Sequence, residues 1–203
     1  MKKIFTALSI LMKGPPPREV PEGLSGDQYY ELGKRYKLAG WIAQSKRALR
    51  LAIVLDPDGA GKSAQVYLNA YLPRNDIPEE AVRENIAAVN QSLIDRKGAE
   101  KAYRELIEKY PDFEWPYGNL GHLFVEDGRL DEAKEILGQA LSLNPQYTNG
   151  LIHLAAAHWN DGDQKSADDL LRQVLAIDPH FDSNILLNYP HIRERLEDLS
   201  ASS

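Results

Sequence analysis

The segment Gly59-Ala60-Gly61-Lys62-Ser63 is the first candidate for chemistry, because Gly-Lys-Ser ends the loop that cradles phosphates in nucleotide-binding proteins. The first glycine of that loop would fall at position 56, where this chain has Asp56. A phosphate loop also follows a buried strand, whereas this segment follows a helical pattern that ends near Pro57. The residues therefore predict a turn between two helices, and we expect no nucleotide or other cofactor.

The histidines are the second candidate. Two imidazoles on one helix can share a metal when they lie four residues apart, but no pair here has that spacing. His153 and His158 are five residues apart and should point to different faces. The sequence contains no cysteine that could complete a coordination shell, and no serine lies in a nucleophile elbow. We therefore predict neither a metal site nor catalytic residues.

A repeat of about 34 residues organises these positions. Three copies, 26–59, 114–147 and 148–181, place the same residue types in the same columns. One column holds glycine, a second holds a small residue and a third holds proline. Their members are Gly40, Gly128 and Gly162; Ser45, Ala133 and Ala167; Pro57, Pro145 and Pro179. Such a period predicts a stack of helical hairpins.

Each repeat reads as two helices. Tyr117, Leu120 and Phe124 are three or four residues apart, which puts them on one stripe of a first helix. Small residues at Gly121 and Ala133 allow the two helices to approach closely. A glycine between the helices suits the turn, and the proline ends the second helix because it cannot continue it.

These columns resemble the tetratricopeptide repeat family, whose pattern has an aromatic residue, Leu-Gly, Tyr, Ala, Phe and Pro at fixed offsets. The resemblance implies an all-α fold, a right-handed α-solenoid of antiparallel helix pairs with a C-terminal capping helix. It also implies a non-catalytic adaptor or scaffold whose partner is a protein or peptide. No small-molecule substrate is expected.

The predicted organisation has three parts. Residues 1–25 form a short amphipathic helix and a linker rich in proline and glycine; residues 26–181 form the repeats; residues 182–203 form a capping helix and a frayed tail. The repeats are interrupted, because an extra helix is expected at 60–79, before a degenerate copy at 80–113. That degenerate copy places Ile86 and Ala87 in core columns.

The N-terminal segment from Met1 to Met12 has alternative interpretations. Lys2 and Lys3 precede a short apolar run, as in a secretion signal, but Lys13 and three prolines follow where a cleavage site should be. The run is too short to span a bilayer. Its helical spacing favours a helix that covers the first repeat, and the alternative is a docking or membrane-surface helix.

Charge and composition exclude some partners. The chain has 24 Lys and Arg against 30 Asp and Glu, with a formal charge of -6. Nucleic acid is not expected as a partner, because binding a phosphate backbone requires a basic stripe and the basic residues are interspersed with acidic ones. The absence of cysteine does not decide the compartment, and a cytoplasmic location is the default expectation.

The resemblance assigns partner binding to a concave groove, lined by the first helix of each repeat. The corresponding residues are Tyr30, Lys34, Lys37, Trp115, Asn119, His122, Val125, Asn149, Ile152, His153 and Trp159. One end of this groove is basic and the other is apolar and aromatic. Trp115 and Trp159 face either the groove or the core. The alternative function is self-association through the N-terminal helix or the convex face, and the oligomeric state stays open.

Overall fold

The computed structural model describes residues 14–181 and 183–202, so the predicted helix of residues 1–12 lies outside the described residues. Every regular element in the described part is helical. The α-helices are α1 (Gly26–Leu38), α2 (Ile42–Leu55), α3 (Ala60–Ala70), α4 (Glu79–Ser92), α5 (Arg96–Lys109), α6 (Glu114–Glu126), α7 (Leu130–Leu143), α8 (Thr148–Asn160), α9 (Gln164–Ile177) and α10 (Pro190–Ala201). A 3₁₀-helix covers Asn184–Asn188.

The chain forms two compact units. The first contains residues 14–72 with Asp76–Val82, and the second contains Pro73–Asn75 with residues 83–202. In the first unit α1, α2 and α3 pack against one another, and in the second α5 to α10 follow as packed helices. The predicted all-α fold of stacked antiparallel helix pairs is thereby confirmed.

Close helix packing within each pair follows from the small-residue column. A Cβ at Gly121 would lie only 2.4 Å from Cγ of Leu137, and a Cβ at Gly33 would lie 2.7 Å from Cγ of Leu49. The side chain of Ala133 is completely buried. In the α1–α2 and α6–α7 pairs, the glycines therefore allow the first helix to lie directly on the second.

The turns and helix ends are also those that the sequence predicts. Gly40, Gly128 and Gly162 have φ values of 76°, 72° and 86°, a left-handed conformation that favours glycine. The second helices end at Leu55, Leu143 and Ile177. Each end lies two residues before the conserved proline column of the repeat.

The segment that resembles a phosphate loop forms the end of the turn after α2, at Gly59, and the first turn of α3, which begins at Ala60. The carboxylate of Asp56 accepts hydrogen bonds from the backbone N–H groups of Gly59 (3.1 Å) and Ala60 (2.8 Å). These are donors at the start of α3, where a phosphate would have to bind. A carboxylate already occupies the position, so the turn is built to cap a helix.

The proline-rich segment before α1 is packed, whereas the sequence predicted a linker. Val20 and Leu24 are buried. The hydroxyl groups of Tyr29 and Tyr36 donate to the carbonyl oxygens of Pro21 (2.8 Å) and Glu19 (3.0 Å). These contacts anchor the segment to α1, and the pattern of prolines alone did not reveal them.

The degenerate copy has a rotated first helix, so the prediction for Ile86 and Ala87 was wrong. Both are exposed, and Asn85 is buried instead. Asn85 accepts a hydrogen bond of 2.9 Å from the side chain of Asn119 on α6, which satisfies its buried amide. The rotation leaves an exposed apolar stripe on and just after α4, made of Ile86, Val89, Leu93 and Ile94.

The predicted cap is present as the 3₁₀-helix and α10, and we call residues 183–201 the strap. Leu186, Ile192 and Leu196 of the strap are buried as expected, whereas Leu187 is exposed. Helix α10 continues to Ala201. It therefore includes residue 200, where the frayed tail was expected to begin. Within the described ranges, no helix combines the length and apolar character needed to cross a bilayer.

Candidate partner-binding surfaces

The first surface belongs to the first unit, and we call it the lysine–tyrosine face. Its predicted members Tyr30, Lys34 and Lys37 come from α1, and all three are partly exposed. The extra helix α3 adds Tyr67, and Tyr71 follows directly after the last residue of this helix; their rings lie 5.0 Å apart. The rings of Tyr30 and Tyr67 meet edge to face at 6.1 Å. The insertion thus supplies two of the three tyrosines of this face.

Cation–π contacts position both lysines over these rings. The Lys34 ammonium lies 4.8 Å from the ring centre of Tyr30. The Lys37 ammonium lies 5.7 Å from that of Tyr67 and 5.8 Å from that of Tyr71. Lys34 also forms an ion pair with Glu31 (2.7 Å). The face therefore presents cationic groups whose orientation is fixed by aromatic rings.

Burial shifts the protonation of this face. Desolvation lowers the pKa of Lys37 from its ordinary value. Burial, with smaller contributions from Tyr30 and Glu31, raises the pKa of Tyr67 to about 12. At neutral pH the face holds neutral phenols and a partly desolvated ammonium. An anionic group of a partner would compensate the lost hydration of Lys37.

The second surface belongs to the second unit, and we call it the histidine–tyrosine clasp. The Tyr189 hydroxyl of the strap lies 2.6 Å from Nδ1 of His122 on α6 and 2.9 Å from Nδ1 of His153 on α8. The two imidazole rings stack with their centres 4.7 Å apart. Two histidines that are distant in sequence therefore share one tyrosine hydroxyl.

Burial makes the clasp neutral. Desolvation lowers the pKa of His122, which Glu126 opposes, and lowers that of His153 well below its ordinary value, with His122 adding to the effect. Desolvation also raises the pKa of Tyr189. A hydroxyl has one proton, so Tyr189 donates to one imidazole and accepts an N–H from the other. The two neutral rings then carry opposite tautomers.

The strap also contacts Trp159, one of the two tryptophans whose orientation the sequence left open. Its ring lies 5.8 Å from the ring of His191 on the strap, and the tryptophan is only partly buried. The predicted groove residues His122, His153 and Trp159 therefore all contact strap residues. The strap lies where the sequence predicted a partner.

Several other predicted groove residues are buried or make contacts within the protein. The sequence analysis placed Val125 and Ile152 in the groove, but both are buried and offer no free surface. Asn119 is hydrogen bonded to Asn85. Trp115 is partly buried against Phe113, at 5.5 Å between ring centres, and packs on the cluster around Tyr117. These residues join the helix pairs to one another.

Asn149 is also partly buried, at the start of α8. Its side-chain oxygen is inaccessible and has no hydrogen-bond partner in the described protein. Trp115, Val125 and Ile152 thus belong to the packed interior, whereas Tyr30, Lys34 and Lys37 remain at the surface.

The sequence analysis did not identify Tyr67, Tyr71, Tyr189 and His191 as residues of the candidate binding surfaces. Tyr67 and Tyr71 carried a signal, because their four-residue spacing puts both on one face of the extra helix. Tyr189 and His191 carried none, since the repeat pattern ends before them. No group of three or more His, Cys, Asp or Glu side chains within residues 14–181 and 183–202 is arranged to hold a metal ion.

Comparison with known families gives two matches. Both family models are described as tetratricopeptide repeat, and they match residues 124–187 and 86–112. The first match begins within the copy 114–147 and includes the whole copy 148–181. The second covers the degenerate copy, whose helix α4 is rotated.

Comparison with curated proteins and solved structures gives more distant similarities. The type IV pilus assembly protein PilF of Pseudomonas aeruginosa is 26% identical over 64% of this chain and 58% of its own length. The uncharacterized protein ycf37 of Pyropia yezoensis is 31% identical over 43% of this chain and 51% of its own length. This chain therefore spans little more than half the length of these relatives.

Among solved structures, the yeast Sti1 domain TPR2AB in its pHSP90 complex has a TM-score of 0.49, at 19% identity over 88% of this chain and 70% of that one. The P. aeruginosa PilF structure has a TM-score of 0.48, at 21% identity over 87% and 75%. Three copies of the repeat in register, the helix pairs built on them and both family matches show that the chain contains tetratricopeptide repeats, with residues 86–112 and 124–187 matching the family models.

Proposed function

We propose that this protein is a non-catalytic adaptor that holds a segment or helix of a partner protein. The observation that carries the proposal is the lysine–tyrosine face, where three predicted groove residues stay partly exposed beside two tyrosines of an inserted helix. Tyrosine is enriched among the residues that contribute most to protein interfaces, and a cation over an aromatic ring is attracted to the face of that ring. The curated relative PilF is named as an assembly protein, which is the same broad class of function.

The chemistry of the face indicates the kind of segment. Lys34 and Lys37 attract carboxylates, and the Tyr67 and Tyr71 rings offer apolar area for an aliphatic or aromatic side chain. The segment that fits best therefore combines acidic and apolar residues.

Affinity capture from native cell extract tests the proposal. The baits are the wild-type protein, the double variant Lys34→Glu/Lys37→Glu and a control that reverses two exposed lysines elsewhere, Lys97→Glu/Lys165→Glu. We expect a protein that the wild type and the control retain and that the first variant loses, with all three melting at similar temperatures. Retention of the same proteins by all three baits would contradict the proposal.

Self-association is the second candidate, and the exposed apolar stripe favours it. Leu93 and Ile94 are 81% and 89% exposed, which is unusual for large apolar side chains that lie side by side. Sedimentation of the wild type and of Leu93→Ser/Ile94→Ser separates the candidates. A wild-type dimer that the variant loses would support self-association, and a wild-type monomer at high concentration would exclude it.

A further inference from the structure

The strap contacts several residues that the repeat pattern assigns to partner binding. Tyr189 pairs with His122 and His153, and His191 lies against Trp159. In the first unit the equivalent positions Lys34 and Lys37 remain partly exposed. The second unit thus has a binding surface of the same origin that a segment of the same chain covers.

We propose that the His122, His153 and Trp159 surface is a receptor for a partner segment that carries a tyrosine, and that the strap is its resident competitor. This inference rests on the proposed function, since it assigns a second surface to the adaptor. The partner segment takes the place of residues 189–191 when it binds.

The clasp selects a phenol for a physical reason. Nδ1 of the buried His153 and Nδ1 of the partly buried His122 need one group that can donate to one of them and accept from the other, and a hydroxyl does both. A phenylalanine at the same point would leave buried polar nitrogens without a partner, which costs more than an absent contact at the surface. A tyrosine also supplies the ring that packs edge to face on His122 and His153, at 5.7 Å from each.

The strap is incompletely packed on the helix beside it, which favours displacement. An open cavity of about 480 Å³ lies between the strap and the end of α9, with Leu175, Phe181 and Leu196 in its walls. This cavity is open to solvent, so the strap contacts α9 over a limited area there and has fewer packed contacts to lose on release. The polar tie to α9 is the ion pair of Arg195 with Asp168, at 2.7 and 2.5 Å, and it is partly exposed.

Acid should weaken the clasp. His122 faces Glu126 at 3.6 Å on its own helix, Arg96 from α5, and the neutral Tyr189 and His153. On the strap, His191 is accompanied by Glu194. One proton on His122 is compatible with Glu126, but a second proton would place two imidazolium rings in a stack. Occupation by the strap is therefore favoured at neutral pH and reduced in acid.

The test uses a fluorescein-labelled peptide with the sequence of residues 183–201, titrated into the full-length protein and followed by anisotropy. Because the resident strap competes, the peptide should bind the Tyr189→Ala protein at least about tenfold more tightly than the wild type. A matched peptide with Tyr189→Phe should bind the same variant several-fold more weakly. If neither peptide binds the folded variant, or both bind it equally, the inference is overturned.

Hydrogen exchange on the wild type keeps the inference testable if Tyr189→Ala does not fold. We expect amides of the strap to exchange faster than those of α8 at pH 7.5, with the ratio increasing at pH 5.5 after correction for intrinsic rates. Equal protection of the strap and α8 at both pH values would show a permanent cap and overturn the inference. Neither assay involves the lysine–tyrosine face, so failure here would leave the proposed function standing, and its failure would show in the capture experiment.

Discussion

The lysine–tyrosine face and the histidine–tyrosine clasp use equivalent repeat positions with different chemistry. Lys34 and His122 occupy the same place in their repeats, as do Lys37 and Trp159. In the first unit an inserted helix brings tyrosine rings beside charged ammonium groups, which remain partly exposed. In the second unit the strap brings a tyrosine hydroxyl onto imidazoles, and His153 and Tyr189 are buried.

The difference shows how residue charge decides whether such a surface stays accessible. An ammonium group keeps its charge at neutral pH, so complete burial would cost more than tyrosine rings can compensate. Imidazole can lose its proton and be buried as a neutral group once a hydroxyl satisfies its nitrogen. The same scaffold therefore offers one open surface and one that the chain itself covers.

The largest effect on stability should come from substituting the glycine at which two paired helices touch. Both units have such a glycine. Gly121→Ala brings a Cβ against Leu137, and we expect the free energy of unfolding to fall by about 1 to 3 kcal/mol. Gly138→Ala is the control, because its Cβ would meet nothing within 4 Å. That change should stabilise helix α7 by about 0.5 to 1 kcal/mol. Urea unfolding measures both, and equal effects would refute the packing described for this pair.

Removing one tyrosine hydroxyl from each surface should change the stability of the protein by different amounts. Tyr189→Phe leaves the buried His153 and the partly buried His122 without their shared partner, at an expected cost of about 1 to 3 kcal/mol. Tyr67→Phe alters a partly exposed phenol and should change stability by no more than about 0.5 kcal/mol. Urea unfolding of both variants is the measurement. A larger loss of stability for Tyr67→Phe than for Tyr189→Phe would contradict the difference described between the two surfaces.

The two surfaces should also differ in their response to acid. The pKa values of His122 and His153 lie below the ordinary value of 6.5 in the folded protein, so the unfolded chain binds more protons as the pH falls. Stability is therefore full above about pH 6.5 and decreases as the pH falls through the folded pKa values. The pH dependence of urea midpoints between pH 7.5 and 5 tests this.

The variant His122→Asn/His153→Asn provides the control for that titration, because it removes both groups. Its unfolding midpoint should depend less on pH over the same range. The pKa of Tyr67 on the lysine–tyrosine face is about 12, so the exchange of α1 amides should not follow the acid transition. An unchanged pH slope in the variant would contradict the assignment of the transition to the clasp.

The smallest effect is expected at the open face. Lys37→Met keeps a long apolar stem over Tyr67 and Tyr71 and removes the charge, so stability should change by less than about 0.5 kcal/mol. Partner capture should nevertheless weaken, since the ammonium is lost. Thermal unfolding and capture on the same sample test both halves, and unaltered capture would remove Lys37 from the binding surface.

Much of the fold could be predicted from the sequence because it depends on local, periodic constraints. Gly128 and Gly162 mark turns that need a left-handed backbone, and Pro145 follows a helix end. The rotation of α4 could not be predicted, since it depends on Asn85 finding a partner in Asn119 across the stack. Lateral hydrogen bonds of this kind have no period in the sequence.

The surfaces were predictable only in part. The repeat pattern places Lys34 and Lys37 at a surface, but the contribution of Tyr67 requires knowing how the insertion packs on α1. Tyr189 lies beyond the last repeat, so no column of the pattern could assign it to the clasp. Contacts between an irregular segment and a regular one depend on tertiary structure.

Hydrogen exchange of the protein with and without its captured partner tests the central claim most directly, because it reports which surface the partner covers. The account predicts added protection in α1 and α3 around Lys37 and Tyr67, which Lys34→Glu/Lys37→Glu abolishes. Protection confined to the apolar stripe on α4, with none in α1 or α3, would contradict it.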